Sequence, residues 1–91
     1  MTYVSNGSIA TGPSVSVCNV ASDGTLTGCT LTSANIGDPE ELAVNGDTLY
    51  VANGSGPGVT YCTILADGSL SNCTVSNGGA SYNLPTQITI Y

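Results

Sequence analysis

The chain has 91 residues, a mass of 9.0 kDa and a formal charge of −6, because it contains six acidic residues and no Lys, Arg or His. Without basic side chains it cannot neutralise a phosphate backbone or an anionic lipid surface, so we expect neither nucleic acid nor a membrane as a partner. The usual bases of nucleophilic catalysis and the usual cations of phosphoryl transfer are also missing, so we expect no enzyme and no cofactor.

Small and β-branched apolar residues, together with 12 glycines, predict strands and turns rather than helices. Eight segments fit strands, and no run approaches the roughly 20 apolar residues of a membrane helix. In chain order they are residues 2–5, 15–20, 26–31, 42–44, 49–52, 59–65, 70–75 and 87–90. Asn45-Gly46-Asp47 predicts a tight turn between the fourth and fifth strands.

An internal repeat runs through the chain. The segment Cys18-Asn-Val-Ala-Ser-Asp-Gly-Thr-Leu-Thr-Gly-Cys29 aligns without a gap on Cys62-Thr-Ile-Leu-Ala-Asp-Gly-Ser-Leu-Ser-Asn-Cys73, at an offset of 44 residues. Upstream, Tyr3-Val-Ser-Asn6 matches Tyr50-Val-Ala-Asn53 at an offset of 47. A four-stranded unit of about 44 residues has the size of one β-propeller blade, so we predict an all-β propeller with four-stranded antiparallel blades, two per chain.

The strands divide into one complete blade and one split blade. The complete blade covers about residues 39–76. The second blade is split between residues 1–33, which hold its strands 2 to 4, and residues 85–91, which hold its strand 1. The two chain ends therefore fall inside one hairpin of the second blade.

This split leaves two strands without a partner in their own chain, and each would be an exposed apolar edge. We expect the last strand of one chain to pair with the first strand of the next until a ring closes. The assembly residues are Thr2, Tyr3, Val4, Gln87, Ile88, Thr89 and Ile90. Since propellers usually have four to eight blades, the expected partner is the chain itself, in a homotrimer of six blades or a homotetramer of eight.

The four cysteines form two pairs with the same spacing, each flanking an Asp-Gly turn. We predict a hairpin with a two-residue turn centred between Asp23 and Gly24, in which an unbroken register places Cys18 opposite Cys29, and an equivalent hairpin that places Cys62 opposite Cys73. Directly opposed residues are close enough for two disulfides. A zinc site and buried free thiols are the alternatives, although the spacing of eleven and the absence of His argue against zinc. Disulfides imply a secreted or extracytoplasmic parent protein, while this chain shows no signal-peptide pattern.

The stretch from Pro39 to Asn53, followed by Val59-Thr-Tyr61 and Asp67-Gly68-Ser-Leu70, resembles the YVTN-type β-propeller repeat. Tyr50-Val-Ala-Asn53 and Tyr3-Val-Ser-Asn6 stand where that family carries its name-giving tetrapeptide. The resemblance implies a bladed propeller with strand 1 beside the central channel. Because such propellers carry all their blades on one chain, a two-blade chain predicts an excised or engineered fragment, with a natural short gene as the alternative.

The acidic residues are weak candidates for a cation site. Asp38, Glu40 and Glu41 lead into the strand that should line the channel, and in a ring they would recur as a circle of carboxylates. Solvated loop charges are the simpler interpretation. Asp23 and Asp67 fit the chemistry of their turns better than metal binding.

Tyrosines and Asn-Xaa-Ser/Thr sequences offer further candidates. The chain has five tyrosines, namely Tyr3, Tyr50, Tyr61, Tyr82 and Tyr91. These side chains could form a carbohydrate-binding surface; alternatively, Tyr3, Tyr50 and Tyr61 fill space between blades, with their hydroxyls on polar partners. Glycosylation motifs begin at Asn6, Asn53 and Asn72, and chance explains them at this content of Asn, Ser and Thr. We therefore predict a structural, self-assembling propeller fragment, with a carbohydrate- or cation-binding module as the alternative function.

Overall fold

The computed structural model describes residues 1–7, 12–54, 58–76 and 87–89. In these ranges the chain forms two antiparallel sheets, of three and four strands, and no helix. The all-β prediction is therefore confirmed. No helix long and apolar enough to cross a membrane occurs in the same ranges.

Seven strands lie where the sequence predicts them, with ends that differ from the predicted ones by at most three residues. They are β1 (Thr2–Asn6), β2 (Ser14–Val20), β3 (Leu26–Thr32), β4 (Pro39–Asn45), β5 (Thr48–Asn53), β6 (Val59–Ile64) and β7 (Leu70–Ser76). Residues 87–89 lie outside any strand in the single chain. Ile90, Tyr91 and Tyr82 lie outside the described residues, and so does the segment 85–86 that precedes the eighth predicted strand.

Both sheets follow chain order. The three-stranded sheet has the order β1-β2-β3, and the four-stranded sheet has the order β4-β5-β6-β7. The predicted turn between β4 and β5 is present: Asn45 pairs with Thr48, and Gly46 takes a positive φ of 61° that suits glycine. Each sheet is thus a meander of neighbouring strands.

The core lies between the two sheets, which pack face to face. Its buried members are Val15 on β2, Leu49 and Val51 on β5, and Ile36 from the segment that connects the sheets. Half-buried side chains pack around them, namely Tyr3, Leu42, Ile64 and Leu70. Because side chains alternate along a strand, each sheet uses one face for this core and turns the other face outward.

The strand register of the β2–β3 hairpin differs from the prediction. Val17 faces Thr30 as expected, but Asn19 faces Thr27, so one extra residue lies in β3 between them. Gly28 is in this bulge and has a positive φ of 59°. The prediction of an unbroken register from the cysteines to the turn is wrong, because a bulge places two residues opposite one.

The β6–β7 hairpin has the same irregularity. Tyr61 faces Thr74 and Thr63 faces Ser71, and Asn72 in this bulge has a positive φ of 52°. In both hairpins the shift turns the predicted two-residue turn into a three-residue loop, closed in β2–β3 by hydrogen bonds from Gly24 N to Ala21 O and from Ala21 N to Thr25 O. A type I turn followed by a left-handed glycine is a common solution for such loops.

Candidate functional site

All four cysteines are paired. The structure contains the disulfides Cys18–Cys29 and Cys62–Cys73, with Cα atoms 4.1 Å apart in each. Each bridge joins the last two strands of its sheet beside the bulge: β2 to β3 in the first sheet, and β6 to β7 in the second. The sulfur atoms bond to each other, so neither the zinc site nor the free-thiol alternative applies to this structure.

The two Asp-Gly turns use their aspartates in the same way. Asp23 Oδ1 accepts hydrogen bonds from the Thr25 backbone N–H (3.0 Å) and the Thr25 hydroxyl (2.7 Å). Asp67 Oδ1 accepts the equivalent bonds from Ser69, at 3.0 and 2.6 Å. These bonds favour the carboxylate, so hydrogen bonding from the Thr25 and Ser69 hydroxyls and amides lowers the pKa of Asp23 and Asp67, respectively.

The remaining acidic candidates do not form a metal site within one chain. Asp38 is half-buried, and its backbone carbonyl accepts a hydrogen bond from Gly54 N at 2.8 Å. The exposed Glu40 lies with its side chain against Gly54. In the described part of the chain, no three His, Cys, Asp or Glu residues are close enough to hold a metal ion.

The asparagines of the two Tyr-Val-Xaa-Asn motifs are structural. Asn53 is fully buried: its Nδ2 donates to the Gly58 carbonyl and the Thr60 hydroxyl, both at 2.9 Å, and its Oδ1 accepts from Gly37 N at 3.0 Å. The Thr60 hydroxyl donates in turn to the Asn35 carbonyl. This network holds the segment that connects the two sheets, and the burial of Asn53 argues against its use as a glycosylation acceptor.

Asn6 makes a related but smaller set of bonds. Its Nδ2 donates to the hydroxyls of Ser16 (2.8 Å) and Ser14 (3.1 Å), and Ser16 is the repeat equivalent of Thr60. Both asparagines therefore tie the end of their strand to the start of the next strand in the sheet. We therefore expect this motif position to stabilise each sheet.

The outer face of the three-stranded sheet, which points away from the core, is apolar. Its large exposed side chains are Val4, Val20, Leu26 and Leu31. Their repeat equivalents on the four-stranded sheet are Val51, Ile64, Leu70 and Val75, and all four are buried or half-buried. Val4, for example, is 39% exposed, whereas Val51 is fully buried in the core.

The outer face of the four-stranded sheet shows the converse relationship. This face carries Tyr50 and Tyr61, which face each other across β5 and β6. Tyr61 is 40% exposed, whereas its equivalent Val17 is 3% exposed against the core. Every large apolar position that is open on one sheet in this comparison is therefore covered at the equivalent position of the other sheet.

Tyr3 connects the two sheets directly. Its hydroxyl donates a hydrogen bond of 2.7 Å to the carbonyl of Gly68, in the turn between β6 and β7. Burial, together with the negative charge of Asp67, raises the pKa of the Tyr3 hydroxyl and favours the neutral donor. Tyr3 therefore lies between the two sheets, with its hydroxyl on a polar partner.

The predicted assembly residues lie at one sheet edge and near the carboxyl end. Thr2, Tyr3 and Val4 belong to β1, which pairs with β2 and has no second strand partner among the described residues. Ile88 is half-buried, while Gln87 and Thr89 are exposed. The single chain does not pair these two segments in the ranges that the structure describes.

Sequence reasoning missed the bulge residues, although a signal was present. Gly28 aligns with Asn72 in the repeat, and Gly and Asn are the residues that most readily adopt positive φ. The sequence carried no comparable signal for which face of each sheet is buried in the core, since apolar residues occur on both faces.

Comparison of the chain with protein-family models, with curated protein sequences and with solved structures finds no match. The resemblance to the YVTN-type repeat therefore remains a sequence-based prediction.

Proposed function

We propose that this chain is a structural, self-assembling β-propeller fragment that forms a closed symmetric ring and has no catalytic activity. One observation carries the proposal: the large side chains left open on the outer face of each sheet have repeat equivalents that are buried or half-buried on the other sheet. The clearest pair is Val4, 39% exposed, and Val51, fully buried.

The direction of the contact follows from the same pairing. Inside the chain, the face with Tyr3 and Val17 packs on the face with Leu49 and Val51. The outer face of the four-stranded sheet is equivalent to the first of these inner faces, and the outer face of the three-stranded sheet is equivalent to the second. The four-stranded sheet of one copy would therefore pack on the three-stranded sheet of the next. Such a head-to-tail contact uses two different surfaces, and it gives a closed ring when the rotation per copy divides a full turn.

The open edge of β1 supports the same arrangement. Leu42 on β4 faces Val51 on β5. When Pro85 is aligned on Pro39, Ile88 becomes the equivalent of Leu42, and Val4 is the equivalent of Val51. The last strand of one copy would therefore pair with β1 of the next copy, with Ile88 opposite Val4, and complete a second four-stranded blade.

Three copies would give six blades and four copies would give eight, both within the usual range for propellers. The chain supplies only the amino terminus as a cation, and its charge of −6 is repeated in every copy. We expect this repeated negative charge to keep closed rings apart in solution.

Native mass measurement over a dilution series tests the proposal. We expect a discrete species of three or four times the 9.0 kDa chain mass. A chain that stays monomeric at every concentration, or grows into open-ended polymers, would contradict a closed ring.

Two test variants, each with a control, locate the contact. Val4→Asp places a charge on the outer face and should abolish assembly, because a buried unpaired carboxylate is strongly unfavourable. Thr30→Asp is its matched control, since Thr30 and its equivalent Thr74 are both exposed. Ile88→Asp, compared with Gln87→Glu one residue away, tests the strand pairing in the same way.

The facing pair of Tyr50 and Tyr61 favours carbohydrate binding as a second candidate function. Tyr61 is exposed and Tyr50 is half-buried, so two opposed phenol side chains on the outer face offer an aromatic surface on which a sugar could stack. Titration of tyrosine fluorescence with a panel of glycans tests this candidate. Ring formation would cover the same face. Glycan binding by a chain that stays monomeric would therefore favour this candidate over the ring, whereas glycan binding that survives in the assembled particle would contradict a site at Tyr50 and Tyr61.

A further inference from the structure

Equivalent turns in the two sheets have the same backbone but different surroundings. In the second turn, Gly68 N donates to Leu65 O (2.8 Å) and φ of Gly68 is 88°; in the first, Gly24 N donates to Ala21 O (2.9 Å) and φ of Gly24 is 91°. Gly68 is buried, whereas Gly24 is exposed. The two glycines therefore occupy equivalent positions in the two turns, but Gly68 is covered and Gly24 is open to solvent.

Gly68 is covered by the amino-terminal part of the chain. The Tyr3 hydroxyl donates to its carbonyl, and the Met1 side chain lies so close that a Cβ built on Gly68 would clash with Met1 Cγ. At Gly24 the same construction meets no atom within 4 Å. The repeat equivalent of Tyr3 is Tyr50, which is half-buried on the outer face of the four-stranded sheet.

We propose that the contact between successive copies repeats the internal contact at this point, so that the Tyr50 hydroxyl of one copy donates a hydrogen bond to the Gly24 carbonyl of the next. This inference rests on the proposed ring and adds its specific polar anchor. Sheet packing alone tolerates sliding, whereas a directional hydrogen bond to one carbonyl fixes the two faces in a single register.

The anchor would act mainly as a specificity-determining contact. Apolar burial is roughly proportional to area and has no direction, so it does not distinguish one offset between two sheets from a neighbouring one. The Tyr50 hydroxyl, when its sheet is covered, needs an acceptor, and in the internal contact the turn carbonyl is that acceptor. Gly24 presents the same carbonyl at the equivalent turn.

The experiment compares wild type, Tyr50→Phe and Tyr3→Phe by native mass in a dilution series and by urea unfolding of the dissociated chain. Tyr50→Phe should weaken the contact between copies by roughly two- to twelvefold, the effect of one hydrogen bond, and leave the unfolding of the single chain unchanged. Tyr3→Phe removes the internal bond and should lower the stability of the single chain. A second measurement, the ¹³C chemical shift of the Gly24 carbonyl, should change on assembly of wild type and change less with Tyr50→Phe.

The outcomes separate the two proposals. If Tyr50→Phe assembles and dissociates over the same concentration range as wild type and shows the wild-type Gly24 shift, the anchor is overturned and the ring stands. If wild type remains a monomer at every concentration, the ring is overturned and the anchor with it. A weakened assembly in Tyr50→Phe with an altered Gly24 shift supports both.

Discussion

Gly28 and Asn72 occupy the same backbone position in two copies of one hairpin. Each lies in the bulge next to a disulfide, with φ of 59° and 52°, respectively. The repeat therefore conserves a backbone conformation while it changes the residue, and the two residue types are those that accept positive φ at least cost.

Alanine at either bulge position should destabilise the chain by about 1 kcal/mol, because a left-handed conformation costs an L-residue roughly 1–2 kcal/mol. Gly28 avoids this cost because it has no Cβ, and asparagine reduces it because its short polar side chain can form local hydrogen bonds. Urea unfolding of Gly28→Ala and Asn72→Ala measures the effect. Gly28→Asn is the matched control and should cost less, although its Cβ would lie 3.1 Å from the Asn19 side chain. Equal losses for alanine and asparagine at position 28 would argue against this interpretation.

The buried Asn53 should matter more than its counterpart Asn6. Asn53→Ala removes two donated hydrogen bonds and one accepted bond in the core. With buried polar groups left unpaired, we expect a loss of about 2–3 kcal/mol. Asn6→Ala, which removes two bonds at a half-buried site, should cost about 1 kcal/mol. Chemical unfolding of both variants gives the comparison, and a larger loss for Asn6→Ala would contradict it.

Acid should weaken the two turns. The pKa values of Asp23 and Asp67 are lowered in the folded chain by hydrogen bonds from Thr25 and Ser69. Their contribution to stability is then complete above the unfolded pKa of about 4 and is lost as the pH falls through the lower folded pKa. We expect the free energy of unfolding of wild type to decline across this acidic window.

The double variant Asp23→Asn, Asp67→Asn is the control for this pH dependence. Asparagine keeps an Oδ1 that can accept the same hydrogen bonds but does not titrate. Its stability should therefore change less with acid than that of wild type. An unchanged acid profile in the double variant would assign the pH dependence to other carboxyl groups.

Removal of one disulfide should lower stability by about 3 kcal/mol, because each bridge closes a loop of about twelve residues in the unfolded chain. The pairs Cys18→Ala, Cys29→Ala and Cys62→Ala, Cys73→Ala should cost similar amounts, since both bridges have a sequence separation of 11. Thermal unfolding with and without reductant measures the combined effect. Unfolding that is insensitive to reductant would contradict a stabilising role.

The sequence by itself determined the all-β class, the places of seven strands, the turn at Gly46 and the pairing of the cysteines. These features depend on local patterns: β-branched segments, turn residues and an identical spacing in two repeats. The turn roles of Asp23 and Asp67 belong to the same group, because each aspartate bonds to a residue only two positions away.

The tertiary structure decided which face of each sheet is buried. Val4 and Val51 stand in equivalent places of the same motif, and apolar residues occupy both faces of their strands, so alternation does not tell one face from the other. Only the packing of one sheet on the other, through Val15, Leu49 and Val51, leaves Val4 open and covers Val51. The bulge at Gly28 was also decided there, since one inserted residue shifts the register without changing the apolar pattern of the partner strand.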